Sequence, residues 1–79
     1  MARIMKKTNV GNLIDTTATE YKQQYNNCCL SIDQTTAKCY ITAKVYGFVD
    51  CLWKIGAISA NDIPHCVDDM LGQIGIEML

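Results

Sequence analysis

The chain has 79 residues and a mass of 8.8 kDa, for which surface scaling gives a folded accessible area of ~4,800 Å² against ~12,800 Å² unfolded, so only about 63% is buried. With 49% apolar residues, 19% charged residues and a net charge of −1, it is neither a disordered tail nor a collagen-like repeat, and it leaves little room for a substrate pocket of about 300 Å³. Apolar burial of about 120 kcal/mol is offset by an ordering cost of about the same size, so this thin core with surplus apolar surface predicts self-association, as a homodimer.

Residues 1–8 lack periodicity and read as a flexible basic lead-in carrying Arg3, Lys6 and Lys7. Residues 9–79 form a single small domain. Val10, Ile14, Ala18, Tyr21, Tyr25 and Cys28 recur at spacings of three and four with Leu13 beside them, which predicts an amphipathic helix over 9–28 capped by Thr8 or Asn9. Gly11 and the threonines at 16, 17 and 19 lower its intrinsic propensity, so tertiary packing has to support it.

Asp33 is suited to cap a second helix over 34–55. Ala37, Ile41, Val45, Phe48, Leu52 and Ile55 form its core stripe, with Tyr40 and Val49 on the flanks and Gly56 at the left-handed stop. A rival α+β reading pairs strands in a hairpin at 28–46, because Cys39, Ile41, Ala43 and Val45 also alternate with polar residues. The helical stripe continues unbroken to Ile55 whereas the alternation fails at Val49, Cys51, Leu52 and Trp53. Ser59 and Asp62 then resemble a capping box with Ile58 and Ile63 as its staple, and Pro64 suits a first helical turn if Asn61 is the cap instead. A third helix over 60–74 buries Val67, Met70, Leu71 and Ile74. The predicted fold is all-α, three helices with a helical hairpin at 34–74.

The chemistry-bearing residues are sparse. His65 and Cys66 project about 100° apart on a helix and do not face each other as a nucleophile and base must. Ser31 and Ser59 sit where caps are needed, the adjacent Asp68 and Asp69 do not form a dyad, and no phosphate-cradling glycine motif occurs. The five cysteines are odd in number and form no C-x-x-C pair. They are therefore expected as small packed hydrophobes in a reducing, cytoplasmic setting. No catalytic residue, no metal and no cofactor is expected, and no apolar run approaches the ~18 residues of a membrane span.

What remains is surface. The second helix is apolar on more than one side, so it needs more than one neighbour, and Tyr46, Val49 and Trp53 are expected to form a partner surface. Asp62, Asp68, Asp69 and Glu77 follow Lys54 with no positive charge among them, an acidic face suited to steering a basic partner. Direct nucleic-acid binding is disfavoured: Asp50 interrupts Lys38, Lys44 and Lys54, and no arginine follows Arg3. A short turn between the second and third helices keeps a small DNA-binding regulator as one alternative, and a structural assembly subunit is another.

The stretch from Tyr46 to Ser59, YGFVDCLWKIGAIS, followed by an acidic helix, resembles the helical hairpin of small accessory proteins of phages and mobile elements, anti-CRISPR proteins among them. The resemblance implies a non-enzymatic protein in the host cytoplasm that binds another protein, inhibiting a host defence complex such as a CRISPR effector nuclease.

Overall fold

The computed structural model describes the backbone of residues 2–76 and the side chains of residues 9–76. Helix α1 spans Ala2–Ser31, α2 spans Gln34–Lys54, a 3₁₀ turn covers Ala60–Asp62, and α3 spans Ile63–Ile74. The fold is all-α, with three helices and, among the described residues, no strand. The hairpin alternative over 28–46 is therefore replaced by helix on both sides of a two-residue break. The lead-in expected over 1–8 falls on side chains outside the described residues, as does Glu77.

Helix α1 extends past the predicted 9–28 at both ends: the backbone of residues 2–8 continues the helix where a lead-in without helical periodicity was expected, and at the other end neither the Asn26-Asn27 pair nor the adjacent cysteines break it. It ends where the Ile32 N–H donates to the Cys28 carbonyl at 2.8 Å and the chain turns into the next cap. Asp33 caps α2 as expected. Its carboxylate accepts from the Thr36 backbone N–H at 3.0 Å and from the Thr36 hydroxyl at 2.7 Å. The Thr36 hydroxyl, then the Thr36 N–H, hold the Asp33 carboxyl below the usual carboxylate range, so the support this cap lends is present at neutral pH and is lost as pH falls through its lowered value.

Gly56 ends α2 with φ +79°. Its N–H donates to the Trp53 carbonyl and the Ala57 N–H to the Leu52 carbonyl, the paired bonds of a Schellman cap. In the connection that follows, the Ser59/Asp62 box forms, with the Asp62 carboxylate accepting from the Ser59 N–H at 3.1 Å and from its hydroxyl at 3.0 Å. The 3₁₀ turn reconciles the two cap readings: the box closes the turn, and Pro64 falls within the first turn of α3, where its missing N–H leaves no bond unmade. Gly75, at φ +95°, reverses the chain so that Ile76 folds back into the core.

Helices α1 and α2 are antiparallel. Gln34 donates to the Tyr25 hydroxyl at 3.3 Å near the hairpin tip, and the Tyr21 and Phe48 rings meet edge to face at 6.5 Å further along. Lys44 joins the same seam, with its ammonium donating to Gln24 and lying 5.0 Å from the Tyr21 ring centre and 5.4 Å from that of Tyr40. Helix α3 packs on both, and Gln73 reaches Asp15 at 3.2 Å. The core consists of Ala18 and Tyr25 from α1, Ala37, Ile41, Val45 and Val49 from α2, and Val67, Met70, Leu71, Ile74 and Ile76.

The buried row of α2 differs from the predicted stripe. Val49 is 0% exposed, Phe48 is half-buried at the α1 seam, and Ile55 is 66% exposed. A row at spacing four rotates about 40° per step around the helix, and α2 follows this inclined row because α1 covers one edge of it and α3 the other. Truncating Ile41→Ala inside this row is expected to destabilise the chain by about 2–5 kcal/mol, whereas Tyr46→Ala on the exposed flank is expected to stay within ~0.5 kcal/mol. Equilibrium urea unfolding, run at a concentration low enough to exclude association, distinguishes the two.

Candidate functional site

The sequence-predicted surface residues separate into three groups. Tyr46 is 51% exposed and Trp53 43% exposed. Seven residues apart, they share one flank of α2, where Trp53 stands one turn past Val49 at the solvent edge of the buried row. Val49 is corrected: it belongs to the core between α1 and α3 and offers nothing to a partner. Val49 lies about 60° from the axis of the buried residues, and Trp53 and Tyr46, about 100° and 120° from it, flank the row on the same edge.

The acidic residues also divide. Asp62 is exposed but is engaged as the carboxylate of the capping box, so its first role is to start α3. Asp68 and Asp69 are exposed on α3. Gln73 donates to Asp69 at 3.0 Å and to Asp15 at 3.2 Å, and this amide joins an acidic ridge that runs from α3 onto α1. Sequence spacing could not place Asp15 there, because the neighbours lie 58 positions apart.

The outward side of α2 carries more than the aromatic pair. Cys39, Ala43, Tyr46, Asp50 and Trp53 are all exposed and follow one another at spacings of four, three, four and three. They therefore share one solvent-facing strip of α2, on which the two aromatic side chains alternate with small and charged residues. Tyr40, Gly47 and Lys54 run beside it, and Lys54 is paired with Asp50 at 3.2 Å.

The expectation that the cysteines are packed hydrophobes is corrected for three of them. Cys29, Cys39 and Cys51 are exposed, and only Cys28 and Cys66 are half-buried. Cys39 and Cys51 lie off the inclined core row, so the helix turn directs them outward. Burial first, then the charges of Asp62 and Asp69, pushes the Cys66 thiol up, which suppresses the thiolate a nucleophile requires. Among the described residues no three His, Cys, Asp or Glu side chains gather as metal ligands, and no helix is long and apolar enough to cross a membrane.

No family model, curated protein or solved structure matches the chain.

Timed alkylation with iodoacetamide, read by peptide mass spectrometry, is expected to modify Cys29, Cys39 and Cys51 first and Cys66 last at neutral pH. Equal rates at Cys66 and Cys51 would contradict the burial of Cys66.

Proposed function

We propose that this chain acts by binding another protein, without catalysis, through the outward side of α2. The observation that supports this most is the exposure of Tyr46 and Trp53 on the flank of a helix whose core row is fully buried. Large aromatic side chains left in water are the residue types that dominate interface energetics. The acidic ridge of Asp68, Asp69 and Asp15 is exposed alongside α3, and it suits a basic surface such as a nucleic-acid-handling complex presents. In this reading the protein comes from a phage or mobile element and works in the host cytoplasm. It occludes the nucleic-acid-binding surface of a host defence complex, of which a CRISPR effector nuclease is the type.

A DNA-reading role is less well supported. Helix α3 would have to enter the major groove, and its exposed Asp68 and Asp69 would meet phosphate repulsion.

The test is affinity capture on the immobilised full chain, with Trp53→Ala and the double variant Asp68→Lys, Asp69→Lys run beside it. A nucleic-acid-handling complex is expected to be retained by the native chain and to lose its nuclease activity in proportion to the chain added. Trp53→Ala should weaken capture about 30-fold or more, and the charge reversal should weaken it and flatten its salt dependence. Unchanged capture by both variants contradicts the proposal. So does salt-dependent binding of duplex DNA that disappears when Arg3, Lys6 and Lys7 are removed.

A further inference from the structure

We draw no further inference here: the strongest candidate, the solvent-facing strip of α2 that carries Tyr46 and Trp53, is the docking surface already described, and nothing in the structure shows what covers it.

Discussion

The row Ala37, Ile41, Val45 and Val49 is the constraint on which the rest of the structure depends. These four side chains are fully buried, and together with Leu52 they make up the buried part of α2, which packs against both α1 and α3. Because the row climbs at spacing four it winds around α2, so one neighbour cannot follow it along its length. Two neighbours on adjacent flanks can, and that arrangement leaves the remaining half of the helix in water. The exposure of Tyr46 and Trp53 follows from a three-helix chain of this size: no fourth element exists among the described residues to cover them.

The caps complete this scheme. Asp33 and Gly56 fix the two ends of α2, and the Ser59/Asp62 box with the 3₁₀ turn redirects the chain so that α3 returns against the buried row. Each joint satisfies backbone groups that would otherwise be left unpaired in a domain with little core to spare. The Lys44 ammonium, held between the Tyr21 and Tyr40 rings and bonded to Gln24, closes the α1–α2 seam on the side that α3 does not reach. Tyr21 itself stays neutral, its phenol pushed up first by burial and then by Glu20.

Much of this was legible from residue types alone. Asp33, Gly56, Ser59 and Pro64 carry local signals whose physics does not depend on what packs nearby, and the face of α3 is narrow enough that Val67, Met70, Leu71 and Ile74 have one arrangement. Helix α2 was harder because its apolar residues fit two templates. A straight stripe through Phe48 and Ile55 and an inclined row through Val49 share Ala37, Ile41, Val45 and Leu52, and only the directions of α1 and α3 choose between them. The same ambiguity put Val49 on the docking surface and hid Ala43 and Asp50, which have no aromatic bulk to draw notice. Asp15 joined the acidic ridge through tertiary contact, which no local pattern carries.

The account therefore assigns α2 two jobs, holding the bundle on one side and meeting another protein on the other. The chain contains one tryptophan, and it lies on the second side, so its accessibility reports the central claim directly. Iodide quenching of Trp53 fluorescence is predicted to be high in the chain alone and to fall when the captured partner is added to saturation and the surface becomes covered. Quenching that the captured partner leaves unchanged, in a chain that stays folded, would contradict it.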